Sequence, residues 1–223
     1  MSADAAGRAV NRATGPRRLV LLRHGRTAWN ATGRAQGHAD VELDQTGHAQ
    51  AAAVAPWVAS LGPVALWSSD LARARQTAAY VEKETGLVAT LDARLREYDV
   101  GERSGLTTGQ FADRFPDEHA AWLEDRRAEV PGAEETADVL ARSLPAYEEV
   151  LGALGPGELA VVVTHGAALK VSVAALLGWP VGQADSLRGL ANCAAAVVEQ
   201  QRAGRRLVGW NLRPDFDSDE NAG

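Results

Sequence analysis

The chain has 223 residues, 46% of them hydrophobic, which is enough for one medium-sized domain with a hydrophobic core. The formal net charge of −6 argues against nucleic acid as a partner, and the single cysteine, Cys193, excludes an intrachain disulfide. No apolar stretch approaches the roughly 20 residues of a membrane-spanning helix, and no secretory signal precedes residue 17, so we expect a cytoplasmic protein without a membrane partner.

Predicted strands and helices alternate along most of the chain, a pattern typical of α/β folds. The predicted strands are 18–22, 64–67, 87–90, 159–164, 191–200 and 205–211. The predicted helices are 46–60, 71–84, 134–154 and 166–177. We expect Ser69 and Asp70 to cap the second of these helices, and Gly86 to end it.

This alternation predicts a three-layer α/β/α sandwich with a mostly parallel sheet. A small helical excursion at about 97–133 interrupts the pattern, with one helix that begins near Thr107 or Thr108 and another helical patch around Trp122. We expect a single domain over 18–212, between a flexible N-terminal arm at 1–17 and an acidic flexible tail at 213–223.

Two of the predicted strands are followed by a histidine and a glycine. Arg23-His24-Gly25 follows the strand 18–22, and His165-Gly166 follows the strand 159–164. The carboxyl ends of parallel strands form the ligand-binding crevice of open α/β sheets. If the two strands are neighbours, their histidines face each other across that crevice, and Arg23 adds a permanent positive charge for an anionic substrate.

Phosphoryl transfer requires fixed cations around the transferred group, a nucleophile and a proton donor. The sequence offers a candidate for each role. His24 is the candidate nucleophile, because a neutral imidazole can form a covalent intermediate. Arg73, early in a predicted helix, and His165 are candidates for binding the phosphoryl oxygens. Glu97, at the start of the excursion, is the candidate acid.

Five motifs, in order from about residue 18 to 178, resemble those of the histidine phosphatase superfamily, also called the phosphoglycerate mutase-like family. They are Arg23-His24-Gly25-x-Thr27-x-Trp29-Asn30 followed by Gly33-Arg34-x-Gln36-Gly37, Ser68-Ser69-Asp70-Leu71-x-Arg73-Ala74-x-x-Thr77-Ala78, Leu95-Arg96-Glu97 with Gly101 and Gly105-Leu106, Pro131-Gly132-Ala133-Glu134, and Val162-Val163-Thr164-His165-Gly166. A single Arg-His-Gly motif would be weak evidence for this family, whereas five motifs in the family's order are specific evidence for it.

The resemblance assigns a role to each candidate residue. It implies that His24 is phosphorylated during turnover and that Glu97 is first the proton donor and then the base. The residues expected to hold the phosphoryl oxygens or line the same pocket are Arg23, Asn30, Gln36, Gly37, Arg73, His165 and Gly166. The resemblance also implies that no metal and no cofactor takes part, and that the partner is a small phosphorylated metabolite.

The segment after Glu97 distinguishes the branches of this family. Mutases carry an Asn-Lys pair after Gly-Leu, whereas Gly105-Leu106 is followed here by Thr107-Thr108-Gly109, which resembles the phosphatase branch. Within that branch, the stretch 190–211 is similar to bacterial broad-specificity phosphatases. Among these, the overall similarity is to glucosyl-3-phosphoglycerate phosphatases, which makes glucosyl-3-phosphoglycerate the candidate substrate. One departure is Ser104, near the usual tryptophan of a Gly-x-Trp-x-Gly pattern.

Several alternatives stay open on the sequence. A cofactor-dependent phosphoglycerate mutase is one, and a non-catalytic module that binds a phosphorylated ligand is another. His38, Tyr98 and Trp122 could contribute to specificity or could only pack. A homodimer, formed through an apolar helix face or the final strands, also stays open.

Overall fold

The computed structural model describes residues 15–124 and 130–214, so that most of the predicted arm and tail lie outside the described residues. Within these ranges the strands are β1 (Arg17–Arg23), β2 (Ala65–Ser68), β3 (Thr90–Leu91), β4 (Leu159–Thr164), β5 (Ala195–Gln201) and β6 (Gly204–Leu212). The helices are α1 (Ala28–Ala31), α2 (Gln45–Ser60), α3 (Ala72–Thr85), α4 (Thr108–Arg114), α5 (Pro116–Leu123), α6 (Thr136–Ala153) and α7 (Gly166–Leu176).

The described strands form one mixed sheet in the order β3-β2-β4-β1-β5-β6. The pairings among β3, β2, β4 and β1 are parallel, and β5 and β6 are added antiparallel. β1 and β4 are neighbours, with Arg23 opposite Thr164, so His24 and His165 emerge at the same edge of the sheet. The predicted third strand, 87–90, is reduced to the two residues of β3 at the sheet edge.

Helices cover both faces of the sheet, which confirms the predicted three-layer sandwich. Leu19 and Leu21 of β1 pack on the side of α6 and α7, whereas Val20 and Leu22 pack on the side of α2 and α3. All six residues of β4 are buried, as expected for a central parallel strand. Each such apolar side chain contributes about 2 kcal/mol on burial, so the strands that end in histidine are firmly anchored.

Helix α3 begins differently from the prediction, because neither Ser69 nor Asp70 caps it. The side chain of Asp70 instead binds the guanidinium group of Arg96, at 2.6 and 2.7 Å. The N–H of Ala72, in the first turn of the helix, donates to Oδ1 of Asp40 at 2.6 Å. Asp40, 32 positions away in the sequence, therefore accepts a hydrogen bond from an N–H group that has no acceptor within the helix. Gly86 ends α3 in the left-handed conformation, as predicted.

The excursion contains α4 and α5, as predicted. Thr107 caps α4, because its hydroxyl accepts the N–H of Gln110 while the Gln110 side chain accepts the N–H of Thr107. Pro116 begins α5. Proline lacks an N–H, and at the first position of a helix this costs no hydrogen bond, because the N–H there has no acceptor within the helix. Short 3₁₀ turns at Ala93–Leu95 and Gly101–Arg103 connect Glu97 to the sheet on one side and to α4 on the other.

Candidate active site

His24 lies buried directly after β1, and its Nδ1 is 2.7 Å from the carbonyl oxygen of Gly25. Because a carbonyl oxygen can only accept, Nδ1 carries the proton and Nε2 keeps its lone pair. Burial lowers the pKa of His24 well below its ordinary value, and the charges of Arg73 and Arg23 lower it further. The imidazole is therefore neutral at pH 7, and Nε2 is available as a nucleophile.

The backbone around His24 is fixed by a close crossing of two glycines. A Cβ on Gly25 would lie 2.6 Å from the carbonyl oxygen of Gly47, and a Cβ on Gly47 would lie 2.0 Å from that of Arg26. Both distances are too short for any other residue, so the loop rests directly on the first turn of α2. The N–H of Gly25 also donates to Oγ1 of Thr77 in α3, at 3.0 Å.

His165 faces His24 with 5.2 Å between the ring centroids. Nε of Arg73 donates to Nδ1 of His165 at 3.2 Å, so the proton of His165 lies on Nε2, which donates to Oγ of Ser69 at 2.8 Å. Burial lowers the pKa of His165 well below its ordinary value, and Arg73 lowers it further. His165 is thus neutral and held in one orientation.

Arg73 is completely buried between α3 and the loop that follows α1. Its terminal nitrogens donate to the carbonyl oxygens of Ala39 and Gly37, both at 2.8 Å. Burial lowers the pKa of Arg73 to about 10, which leaves the guanidinium charged at neutral pH. The same side chain therefore orients His165, holds the loop in place and supplies positive charge.

Arg23 supplies a second cation with an unused donor. Nη1 of Arg23 donates to the carbonyl oxygen of Leu190, whereas Nε is buried without a partner among the described residues. A Cβ on Gly166 would lie 3.2 Å from this Nε, so the glycine at the start of α7 leaves the nitrogen uncrowded. Burial lowers the pKa of Arg23, and the nearby carboxylate of Glu97 opposes that shift.

The loop after α1 contributes Gln36 and Gly37. The side-chain oxygen of Gln36 is buried without a partner among the described residues, and Gln36 lines the cleft. Gly37 adopts a φ of +51°, and a Cβ there would lie 2.6 Å from Val100. Asn30 closes the first turn of α1, because its Oδ1 accepts the N–H of Thr27 at 3.1 Å.

Glu97 faces these cations from the beginning of the excursion. Its Oε1 accepts the N–H groups of Tyr98, at 3.0 Å, and Ala168, at 2.7 Å. Its Oε2 accepts the N–H of Ala167 at 3.0 Å. Ala167 and Ala168 belong to the first turn of α7, whose N–H groups have no partners within the helix. The start of α7 therefore holds the carboxyl group in a fixed orientation.

A cleft of about 900 Å³ opens above the strand ends. The predicted site residues that line it are Arg23, His24, Asn30, Gln36, Gly37, Arg73 and Glu97. Gly166 lines an adjoining cleft of about 600 Å³, together with Arg23 and Glu97. His165 lines neither cleft; its side chain is hydrogen-bonded to Arg73 and Ser69, and its ring contacts that of His24.

His38, Tyr98 and Trp122, whose roles the sequence left open, lie in different positions relative to the cleft. Tyr98 and Trp122 line the larger cleft, whereas His38 does not. Nε2 of His38 lies 2.8 Å from the carbonyl oxygen of Glu97, so His38 supports the backbone at this residue. The hydroxyl of Tyr98 donates to Oγ1 of Thr136 at 3.0 Å, which fixes its ring at the cleft wall.

Arg142 of α6 is a supporting residue that sequence reasoning missed. Its guanidinium donates to backbone carbonyl groups within 94–97, at 2.7 to 2.9 Å, and to both carboxylate oxygens of Glu134. It therefore clamps the segment that carries Glu97. Asn192 was also missed, and its Nδ2 donates to the carbonyl oxygen of His24 at 3.0 Å.

Ser69 and Thr77 were missed as site residues, although both lie in the second sequence motif quoted above. That motif was the available signal, because each side chain contacts a residue next to a strand end. For Arg142 and Asn192 no comparable signal exists in the sequence. Their partners lie 45 and 168 positions away.

The arrangement places a neutral nucleophile, two cations and a fixed carboxyl group around one cleft. This set can bind a tetrahedral anion beside Nε2 of His24 and deliver a proton to its far side. In residues 15–124 and 130–214, no group of three His, Cys, Asp or Glu side chains is placed to hold a metal ion. None of the described helices has the length and apolar character needed to cross a membrane.

Comparison with known proteins places the chain among phosphatases. Residues 19–213 match the Histidine phosphatase superfamily (branch 1). The chain is 40% identical over 218 residues to a glucosyl-3-phosphoglycerate phosphatase of Mycobacterium tuberculosis, covering 91% of this chain and 98% of the relative. It is 36% identical over 184 residues to a metal-independent phosphoserine phosphatase of Arabidopsis thaliana, covering 81% and 75%. A solved structure of mycobacterial glucosyl-3-phosphoglycerate phosphatase with VO3 superposes with a TM-score of 0.80 at 38% identity, covering 87% and 98%.

Proposed function

This chain belongs to the histidine phosphatase superfamily, and we propose that it hydrolyses a small phosphate monoester through a phosphohistidine on His24. It is a phosphoric monoester hydrolase by its relatives. The observation that carries the proposed mechanism is the His24 ring, which is neutral, donates from Nδ1 to Gly25 and keeps the lone pair of Nε2. Arg23 and Arg73 line the same cleft and provide the positive charge that a phosphoryl group needs.

In the first step, Nε2 of His24 attacks the phosphorus atom. A bond forms between nitrogen and phosphorus, and the bond from phosphorus to the ester oxygen breaks. Arg23 and Arg73 stabilise the negative charge on the equatorial oxygens. Glu97, in its carboxylic acid form, gives its proton to the departing oxygen, so that the alcohol leaves without charge.

In the second step, the phosphohistidine is hydrolysed. The Glu97 carboxylate takes a proton from a water molecule, and the water oxygen attacks the phosphorus. The bond between nitrogen and phosphorus breaks, and its electron pair returns to Nε2 of His24. Inorganic phosphate leaves, and both side chains are back in their starting protonation states. No metal or cofactor is needed for the balance of either step.

For the substrate we favour a phosphorylated hydroxy or amino acid. Glucosyl-3-phosphoglycerate is the first candidate and phosphoserine the second, on the strength of the relatives at 40% and 36% identity. A cleft of about 900 Å³ is large enough for the glucosyl group as well as the phosphoglycerate. The mutase alternative is weaker, because both of these relatives are named phosphatases.

The phosphohistidine is tested by trapping it. When the protein is denatured in alkali during turnover, its mass should be higher by one phosphoryl group. The His24→Ala variant should not show this increase in mass. We expect His24→Ala to lower kcat by roughly 10⁴-fold or more while the fold is retained. His48→Ala is the matched control, because His48 lies in α2 and contacts Tyr80 outside the cleft.

Three results would overturn parts of this proposal. Near-full activity of His24→Ala would remove the phosphohistidine mechanism. Loss of activity on treatment with EDTA would remove metal independence. Transfer of the phosphoryl group to added 3-phosphoglycerate, in place of release as inorganic phosphate, would favour the mutase.

A further inference from the structure

One arginine of the cleft has no part in the chemistry above. Arg103 lines the cleft at the end of the turn Gly101–Arg103. Among the described residues its guanidinium makes no hydrogen bond and no ion pair, and its Nε is buried without an acceptor. In the pattern Gly-x-Trp-x-Gly, between Gly101 and Gly105, the tryptophan position is Arg103 itself, directly before the Ser104 noted above. A desolvated donor without a partner is costly and therefore points to a ligand.

Two aromatic rings orient this guanidinium. Its central carbon lies 4.7 Å from the ring centroid of Phe111 and 4.9 Å from that of Trp122. Phe111 is buried, and Trp122 lies at the cleft wall. A cation held over aromatic rings uses none of its N–H donors for that contact, so the donors of Arg103 remain available to a ligand. Arg103 is thus positioned without being neutralised.

Two other charged groups of the cleft, Arg34 and Glu134, already have partners. Nη1 of Arg34 donates to the carbonyl oxygen of Gly105 at 2.6 Å, and Glu134 pairs with Arg142 at 2.7 Å. Burial lowers the pKa of Arg103, and no carboxylate within 15–124 or 130–214 opposes the shift. This differs from Arg23, for which the charge of Glu97 partly offsets burial.

Backbone pairing holds the Arg103 segment beside the phosphoryl site. The N–H of Gly105 donates to the carbonyl oxygen of Ala35 at 2.8 Å. Oγ of Ser104 donates to the carbonyl oxygen of Gln36 at 3.4 Å. Gln36 and Arg103 both line this cleft, and their segments are joined by these hydrogen bonds.

We propose that Arg103 binds the carboxylate of the departing alcohol and thereby selects phosphorylated acids over phosphate esters that lack an acid group. The inference rests on the proposed function, because it places the phosphoryl group of the substrate at His24. With that end held by Arg23 and Arg73, a second anionic group of the substrate meets the free edge of Arg103. A guanidinium edge matches a carboxylate through two parallel hydrogen bonds.

The test compares substrates that differ only in the carboxylate. 3-Phosphoglycerate and glycerol 3-phosphate share the phosphate ester and the carbon chain, and phosphoserine and phosphoethanolamine form a second pair. For Arg103→Gln we expect kcat/KM on the acids to fall roughly 10- to 100-fold, mainly through KM. Activity on glycerol 3-phosphate, phosphoethanolamine and p-nitrophenyl phosphate should stay within about threefold, because they lack the carboxylate.

Arg114→Gln is the matched control. Arg114 belongs to the same excursion, stacks on Phe115 at 5.1 Å and pairs with Glu102, but it does not line the cleft. It should leave the preference for acids unchanged. Arg103→Lys keeps the charge without the planar edge, so it should fall between wild type and Arg103→Gln, and it supplies the same comparison if Arg103→Gln does not fold.

Each other outcome has a distinct meaning. Equal loss on acids and non-acids overturns the inference and gives Arg103 a structural role in the aromatic cluster. A greater loss on bisphosphates than on acids overturns the assignment to a carboxylate. A wild-type protein that hydrolyses none of these esters, including p-nitrophenyl phosphate, overturns the proposed function itself.

Discussion

The two halves of the cleft are built in different ways. The phosphoryl half is lined by His24 and Arg73, and His165 supports it through its hydrogen bond with Arg73. It stands on strand ends and the start of α3, and these three side chains are at most 3% exposed. The leaving-group half, formed by Glu97, Arg103 and Trp122, stands on the excursion, where Trp122 is 41% exposed. Under the proposed mechanism, the difference assigns the nucleophile to the sheet, and the acid and the selectivity to a segment with little core of its own.

The forces that position each half differ in the same way. In the phosphoryl half, glycine crossings and paired strands set the backbone. In the leaving-group half, a few side chains, above all Arg142 and the ring pair around Arg103, fix loops and turns. Substitutions in the first half should therefore affect all substrates alike, whereas those in the second should depend on the leaving group.

The largest effect that separates the halves is expected for Glu97→Gln. On alkyl phosphates kcat/KM should fall roughly 10²- to 10³-fold, because the amide cannot protonate the departing oxygen. On p-nitrophenyl phosphate the fall should be under about tenfold, because that leaving group departs as an anion. Steady-state kinetics on both esters measures the ratio.

Glu102→Gln is the control for this experiment, because Glu102 is exposed and pairs with Arg114. It should leave both rates near wild type. An equal loss on the alkyl and aryl esters in Glu97→Gln would contradict the role of Glu97 as the acid and would erase the distinction between the halves.

The next effect concerns stability and belongs to the phosphoryl half. Burial keeps His24 and His165 neutral in the native state, because their pKa values lie well below the ordinary 6.5. The unfolded chain binds protons at both as the pH falls through 6.5, so the unfolded state holds more protons and the free energy of unfolding decreases. From pH 7 to 5.5 the decrease should be about 2 kcal/mol in total.

Denaturant unfolding at the two pH values measures this slope. His24→Gln should remove about half of it, since it deletes one of the two buried imidazoles. Asn192→Ala loosens the same loop without removing a titrating group, and it should keep the wild-type slope. The carboxyl group of Glu134, whose pKa is lowered, acts at more acidic pH and does not contribute in this window. A flat wild-type profile would show that the histidines are not held neutral.

The smallest effect is expected for Arg142→Gln in the leaving-group half. It removes the donors to the Glu97 backbone and the ion pair with Glu134. We expect kcat/KM on alkyl phosphates to fall about tenfold and that on p-nitrophenyl phosphate to change less, because Glu97 loses its orientation. Arg94→Gln, which removes ion pairs with Asp92 and Glu149 in the same segment but keeps every Arg142 contact, is the control.

The contrast between esters separates positioning from general damage. A uniform loss on both esters, together with a lower Tm, would give Arg142 a purely structural role. It would also show that the excursion is held by more than the few side chains named here.

The strands that carry the site could be predicted from the sequence. The apolar runs 18–22 and 159–164, each followed by histidine and glycine, gave the two central strands and placed His24 opposite His165. This worked because strand burial and the position of strand ends follow from local composition. The alternation of elements likewise gave the three-layer sandwich.

The side chains that hold the site residues in place could not be predicted in this way. The start of α3 is satisfied by Asp40, and the Glu97 segment is clamped by Arg142, both from distant parts of the chain. A polar side chain that reaches across the fold leaves no periodic signal in its own neighbourhood. The same applies to Arg103, whose significance depends on rings that the fold brings to it.

The contact between Nδ1 of His24 and the carbonyl oxygen of Gly25 also fixes the regiochemistry of the proposed covalent intermediate. Histidine can carry a phosphoryl group as the π isomer, on Nδ1, or as the τ isomer, on Nε2. The first nitrogen is occupied by a bond to the very next residue, so the τ isomer alone is compatible with this loop. A single dipeptide thereby determines which phosphohistidine an isomer-specific antibody would recognise, whatever alcohol has departed.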